Sequence, residues 1–360
     1  MGIFSGLFKK AENLIAVDIG ATSTKFLELD LSSNKPKLVN LIVNPTTGEI
    51  FSNNQIKNSD ALAERISGII ETNGITGRRS ALAIPGPSVF TKRLKVSKVP
   101  VRELGTTIQF EAGNLIPHKM DAVKLDYHVI SESGKNQLDV LVVAAKNEVI
   151  ESFTHTLATA GLDTAVVDVD YFALQNCFEL GYPEYLDKRV AVINIGARYS
   201  SVNICHKGQS LFTGDISIGG KTFTDAIMQE LSCDFERAEK LKKKPDEDSN
   251  HKQAINDLIE RKAEAAANEF NRQLSLYWSS LGLEGNLDCI FLAGGASKTN
   301  GLLEELRERT GISCEYLNPL RGIEVDGVVD SKFIEENSSL LAIATGLAIR
   351  QSGDKEIISY

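Results

Sequence analysis

Short apolar runs of strand length alternate along the chain with longer stretches at helical spacing. Residues 14–18 form a continuous apolar run closing on Asp18, the pattern of a strand covered on both faces. A turn of small residues, 20–24, leads to a second strand at 25–31, and the Asn34-Lys35-Pro36 turn leads to a third at 37–43. Residues 60–72 place apolar side chains at helical spacing behind a polar cap at Ser59 or Asp60, and 80–84 reads as a strand again. Three strands, a helix and a strand predict a mixed sheet, not a doubly wound parallel one.

The character changes after Pro85. Residues 90–96, 125–131 and 137–145 alternate as strands, 101–115 is a helix stopped by Pro117, and 149–160 is a helix closed by Gly161. This segment predicts a compact α+β insert with its own core. A strand at 166–169 and a helix at 171–180 follow, then a second strand–turn–strand unit from 189 to about 206. Helices are predicted at 222–231, 252–280, 302–310 and 339–350, with a strand at 288–292 and a charged loop at 240–248.

Two turns in this pattern match. Asp18-Ile-Gly-Ala-Thr-Ser-Thr-Lys25 and Asn194-Ile-Gly-Ala-Arg-Tyr-Ser-Ser201 share an Asp/Asn-Ile-Gly-Ala core between two apolar strands, which suggests a duplicated domain. Gly20 and Gly196 permit positive φ and close backbone approach. Successive amides with the hydroxyls of Thr22, Ser23 and Thr24 form a nest for phosphate oxygens. Lys25 adds a point charge, and Asp18 is placed to hold Mg²⁺ through water. Two opposed hairpins of this kind would clamp a triphosphate. The paired glycines Gly294-Gly295, before Ala296, would let a flat ring lie against the backbone, and Gly219-Gly220 offers the same. Other nucleotide motifs fail: Gly220-Lys221-Thr222 has Asp215 where a Walker A loop needs glycine, and no Gly-x-Gly-x-x-Gly occurs.

Composition narrows the classes. A chain of 360 residues has room for two or three domains, and 42% hydrophobic with 24% charged residues describes a folded protein. Its net charge of −9 disfavours nucleic acid as a partner. No apolar run reaches transmembrane length. Five cysteines without a Cys-x-x-Cys, and five scattered histidines, suggest neither a zinc site nor a disulfide framework. At the N-terminus, Ile3, Phe4, Leu7 and Phe8 precede Lys9 and Lys10. This is neither a signal peptide nor, with Gly6, a myristoylation site; it is read as a membrane-surface segment or as a tail on its own domain.

With these motifs the chain resembles the actin-like ATPase superfamily, and within it the PilM family of type IV pilus assembly. Three segments carry the closer likeness: Ile84-Pro-Gly-Pro-Ser-Val-Phe-Thr-Lys-Arg-Leu-Lys95, Gln109-Phe-Glu-Ala-Gly-Asn-Leu-Ile-Pro117 and Gly214-Asp-Ile-Ser-Ile-Gly-Gly220. The resemblance implies an α/β fold of two duplicated ribonuclease-H-like lobes with an insert like the 1C subdomain of FtsA. Lobe 1 (1A) would comprise residues 12–87, 164–189 and 338–352, the insert 88–163, lobe 2 (2A) 190–221 and 286–337, and a helical subdomain (2B) 222–285. It implies ATP and Mg²⁺ as ligands. Asp18, Gly20, Thr22, Ser23, Thr24 and Lys25 would form the first phosphate loop, with Asp18 toward the metal. Asn194, Gly196, Ala197, Ser200 and Ser201 would form the second, Gly294, Gly295 and Ala296 the adenosine motif, and Gly219 and Gly220 the pair near ribose and phosphates. Glu239 and Lys242 resemble the pair flanking ribose and adenine; an exposed helix pair is the alternative. The second loop usually begins with Asp. Asn194 lacks that charge, so slow or absent hydrolysis is expected, with Asp170 either positioning water or capping its helix.

The resemblance also implies a cytoplasmic protein that reaches the inner membrane through its partner, the N-terminal cytoplasmic peptide of a PilN-like membrane protein, bound between the first lobe and the insert. Pilus motor ATPases are a second expected partner. Two rival readings are an FtsA-like membrane-associated polymer, against which the short polar tail 351–360 counts, and a small-molecule kinase of the same superfamily.

Overall fold

The computed structural model describes residues 13–353, apart from 47, 53, 135, 281, 283–285 and 326, so the N-terminal segment with Ile3 to Lys10 lies outside the described residues. In chain order, β1 (Ile15–Ile19), β2 (Ser23–Asp30) and β3 (Lys37–Pro45) form an antiparallel meander. A short hairpin, β4 (Phe51–Ser52) and β5 (Gln55–Ile56), precedes α1 (Ser59–Thr72), and β6 (Arg79–Ile84) returns parallel to β1. The cap of α1 is Asn58, whose side chain accepts from the Ala61 amide at 3.1 Å, one residue before the expected position. A 3-10 turn at 86–88 opens into β7 (Val89–Ser97), α2 (Val101–Gly113), β8 (Val123–Glu132) and β9 (Gln137–Lys146). The chain then runs through α3 (Asn147–Thr159), β10 (Asp163–Val169) and α4 (Asp170–Gly181).

The second half repeats the plan. β11 (Val190–Ile195), β12 (Ser200–His206) and β13 (Gln209–Ile216) form the meander. Next come α5 (Gly220–Leu231), α6 (Phe235–Lys243) and α7 (Lys252–Ser280), and β14 (Cys289–Ala293) returns parallel to β11. The order closes with α8 (Leu302–Thr310), β15 (Ser313–Tyr316), α9 (Ser331–Asn337) and α10 (Ala342–Ala348). The two five-stranded sheets have corresponding strand orders, β3-β2-β1-β6-β10 and β13-β12-β11-β14-β15.

Both sheets are covered on both faces, which is why their central strands read as unbroken apolar runs. In β1, Ile15, Val17 and Ile19 join a core with α1 and α3, while the intervening Ala16 faces α4 and α10. In β11 and β14, Ala191, Ile193, Ile290 and Leu292 face the helices α5 to α8, and Val190, Val192, Phe291 and Ala293 face inward. The period of two along each strand therefore builds five layers, with α4 and α10 between the sheets. These two helices touch closely: a β-carbon on Gly346 would lie 1.7 Å from the Ala173 carbonyl oxygen. Beside them Phe291 packs against Phe178, Tyr182 and Tyr185, with ring centroids 5.2, 4.7 and 5.1 Å away.

The insert is an antiparallel sheet ordered β7-β9-β8, backed by α2 over Val96, Leu104, Ile108, Val140 and Val142. The expected insert also included the helix at 149–160. In the structure Val149, Phe153 and Leu157 of α3 bury themselves in the first lobe with α1, because that face of the first sheet needs covering. The expected charged loop at 240–248 is helical through Lys243, started by Asp234, which accepts from the Arg237 amide at 2.8 Å. The last helix is shorter than expected, a 3-10 turn at 338–340 followed by α10.

Candidate functional site

The turn between β1 and β2 is closed by the Gly20 amide donating to the Ser23 carbonyl at 3.0 Å. Asp18 and Lys25 are register partners across it, and the Lys25 ammonium lies 3.1 Å from the Asp18 carboxylate in a largely buried pair. Thr22 is exposed, whereas Ser23 and Thr24 are buried, and the Ser23 hydroxyl has no hydrogen-bond partner. The expected positive φ is absent at Gly20 and Gly196. Gly20 is needed for space instead: a β-carbon there would sit 2.6 Å from Lys25 Nζ and 2.9 Å from the Ser23 carbonyl oxygen.

The turn between β11 and β12 repeats the closure, with the Gly196 amide donating to the Tyr199 carbonyl at 3.1 Å. Three other predicted segments gather round it. The amides of Gly220 and Lys221 at the start of α5 donate to the carbonyls of Gly196 and Ala197 at 2.9 and 2.8 Å. The Ala296 amide donates to the Ile195 carbonyl at 3.1 Å, and Gly294 turns there with φ +90°. A β-carbon on Gly219 would lie 2.6 Å from the Ala197 carbonyl oxygen, and one on Gly295 would lie 2.7 Å from Leu340 Cδ2. Glu239 and Lys242 are not an exposed pair. Lys242 Nζ lies 2.5 Å from the Glu239 carboxylate and donates to the Gly220 carbonyl at 3.3 Å and to Thr224 Oγ1 at 2.9 Å. Burial pulls the Lys242 pKa down, and Glu239 opposes that shift. The Ser200 hydroxyl is fully buried and donates to the Ile218 carbonyl at 2.6 Å, so it holds the strand and faces no ligand.

The two turns belong to sheet ends that meet. β10 and β1 both run parallel to β6, so Asp170, directly after β10, stands at the same end of the first sheet as Gly20. Its carboxylate accepts from Tyr199 Oη at 2.8 Å and Ser201 Oγ at 2.7 Å, both on the second hairpin. Burial pushes the Asp170 pKa up against the effect of these donors. It is not the cap of α4: that position is Val169, with no side-chain bond to the helix. Arg198 makes a second bridge, donating to Asn54 Oδ1 beside β5 with its guanidinium 4.8 Å from the Phe51 ring centroid. Sequence reasoning missed Arg198 and Tyr199 as bridging residues. Their signal is the place where the second repeat carries two large side chains, Arg198 and Tyr199, against the small Thr22 and Ser23 of the first.

Chemically, the second hairpin and its glycines form a floor with no room for β-carbons, flanked by one half-buried ion pair, while the first supplies a lysine and an unpartnered hydroxyl. Anionic oxygens and a flat ring fit such surroundings. Among the described residues no group of three or more His, Cys, Asp or Glu is arranged to hold a metal ion. A single carboxylate, Asp18, suits Mg²⁺, which keeps most of its water and takes other ligands from phosphate.

Residues 16–352 match the family model described as type IV pilus assembly protein PilM. The chain belongs to the PilM family. Among solved structures it is similar to the PilM-PilN type IV pilus biogenesis complex at 27% identity, with a TM-score of 0.84 over 94% of this chain and 98% of that one. Likeness in fold extends to the ethanolamine utilization protein EutJ from Carboxydothermus hydrogenoformans (13% identity, TM-score 0.56, 94% and 89% of the two chains). It extends also to MreB 5 of Spiroplasma citri, a structure bound to AMPPNP (12% identity, TM-score 0.52, 93% and 94%). The fold is thus actin-like, and the chain is a type IV pilus assembly protein of that fold. Among the described residues no helix is long and apolar enough to cross a membrane.

Proposed function

We propose that this chain binds ATP with Mg²⁺ between its two hairpins, in the cytoplasm, and engages the N-terminal cytoplasmic peptide of a PilN-like inner-membrane protein. The reading rests on one observation above the rest: two strand–turn–strand units, closed by equivalent amide-to-carbonyl bonds, whose sheet ends meet through Asp170 and Arg198. Lys25 and the turn amides would hold phosphate oxygens, with Asp18 toward the metal. Gly219, Gly220, Gly294, Gly295 and Ala296 would carry the nucleoside, and Glu239 and Lys242 would stand beside it. Asn194 closes β11 with an amide where a carboxylate would help orient an attacking water, so turnover is slow. The partner is drawn from the PilM-PilN likeness. Nucleotide held between two lobes sets their angle, and the peptide, bound between the first lobe and the insert, responds to that angle.

Titration calorimetry with Mg-ATP, and with a synthetic PilN-type peptide in its presence and absence, tests the reading. Wild type should bind both, and ATP should change the peptide affinity. Asp18→Ala should lose ATP binding and that change together. Failure of millimolar Mg-ATP to bind would remove the nucleotide part; equal peptide affinity in wild type and Asp18→Ala would remove the coupling.

A further inference from the structure

At the junction of the lobes, two carboxyl groups from different elements converge on one glycine. Asp170 comes from the start of α4 and Asp215 from β13. Their Oδ1 atoms lie 2.9 and 2.7 Å from the point a β-carbon on Gly86 would occupy. Both Oδ1 atoms are buried; that of Asp215 has no hydrogen-bond partner, whereas the Asp170 carboxyl is held by Tyr199 and Ser201 and faces the backbone amides of Gly86 and Tyr171. The tyrosines that feel the pair, Tyr171 on α4, Tyr199 on the second hairpin and Tyr277 on α7, are neutral at ordinary pH. Arg198 acts on Tyr199, and among the described residues no Lys, Arg or His is paired with either carboxylate. Beside the pair, Thr91 of the insert and Thr213 of β13 share a hydrogen bond of 2.7 Å across the same junction.

Two buried carboxylates that converge on one point without a cation repel each other, and a single proton held by the pair relieves that repulsion and satisfies the unpartnered Asp215 oxygen. We propose that Asp170 and Asp215 share one proton across the lobe junction and that this proton latches the lobes together. Gly86 belongs to the arrangement, because any side chain there would displace the carboxyl groups. The latch opens as pH rises: burial and the neighbouring Asp170 push the Asp215 carboxyl up to about 8, so the bridging proton is held at neutral pH and leaves above that value. Asp170 accordingly acts as a tether between lobes. This inference does not depend on nucleotide binding.

The test uses the full chain without nucleotide. Nitroxides are placed on the exposed positions Glu71 of α1 and Glu230 of α5 by Glu71→Cys and Glu230→Cys, with the half-exposed Cys233 changed to Ser. Electron-spin distances are measured from about pH 6.5 to about pH 9.5. The expected wild-type result is a longer inter-lobe population that grows up to about tenfold per pH unit beyond the midpoint. Asp215→Asn, whose amide donates as the protonated acid does, should keep the short distance throughout. Should that variant fail to fold, Asp170→Asn supplies the same donor from the other side. A wild-type distance unchanged with pH, or a variant that lengthens as wild type does, overturns the latch.

Discussion

Gly219→Ala addresses the nucleotide floor through a single β-carbon. That atom would lie 2.6 Å from the Ala197 carbonyl oxygen, 2.7 Å from the Ala197 carbonyl carbon and 2.8 Å from the Gly196 carbonyl oxygen. All three are backbone, so no side-chain rotation relieves the overlap. Against an ordinary contact of 3.4 Å, the second hairpin or the start of α5 has to retreat by about 0.8 Å. The retreat strains the 2.9 and 2.8 Å bonds from Gly220 and Lys221 that fix the hairpin to the helix. Overpacking of this kind costs about 1–3 kcal/mol in stability. A displaced loop also forfeits charge-assisted hydrogen bonds to a bound phosphate at about 1.5–3 kcal/mol each, which corresponds to a roughly 10- to 100-fold weaker Kd. Titration with a fluorescent ATP analogue reads the second quantity and thermal melting the first. Gly68→Ala is the matched control: the site is in α1 with nothing within 4 Å of the new carbon. It should leave ATP affinity unchanged and raise stability by about 0.5–1 kcal/mol. An ATP affinity for Gly219→Ala within twofold of wild type would refute the placement of this glycine under the nucleotide.

Phe291→Ala removes a fully buried ring between the sheets and should cost about 3–5 kcal/mol in urea unfolding, since Phe178, Tyr182 and Tyr185 cannot all collapse into the space. Asn194→Asp should raise the Mg²⁺ dependence of ATP binding and the hydrolysis rate, whereas wild type should turn over well below about 10 per second in a phosphate-release assay. Stability should fall with rising pH on account of Asp215. Its pKa goes from the ordinary 3.8 to about 8 on folding, so the folded state holds the proton more tightly. That stabilisation is complete below about pH 4 and lost as pH rises through about 8, and Asp215→Asn should flatten this part of a stability-against-pH curve.

Much of this architecture is written locally. The β1 and β11 runs, the helix at 252–280 and the repeated Asp/Asn-Ile-Gly-Ala turns are properties of neighbouring residues, so period and turn chemistry disclose them. Duplication was legible for the same reason: two copies of one local pattern stand far apart in one chain. Other features depend on which surfaces meet. The chain could not say that α3 covers the first lobe and not the insert, because its apolar face suits either core. Residues 240–243 are charged enough to read as loop, yet Asp234 caps the helix and Ala238 and Leu241 anchor it. Of the two reasons expected for Gly20 and Gly196, close backbone approach holds and positive φ does not: the requirement is room beside the Ser23 and Tyr199 carbonyls and, at Gly20, beside Lys25, which exists only once the hairpin closes. Asp170, Asp215 and Gly86 lie far apart along the chain, and no local pattern links them. Only the packing of the two sheets brings those carboxyl groups together, and burial then alters their chemistry.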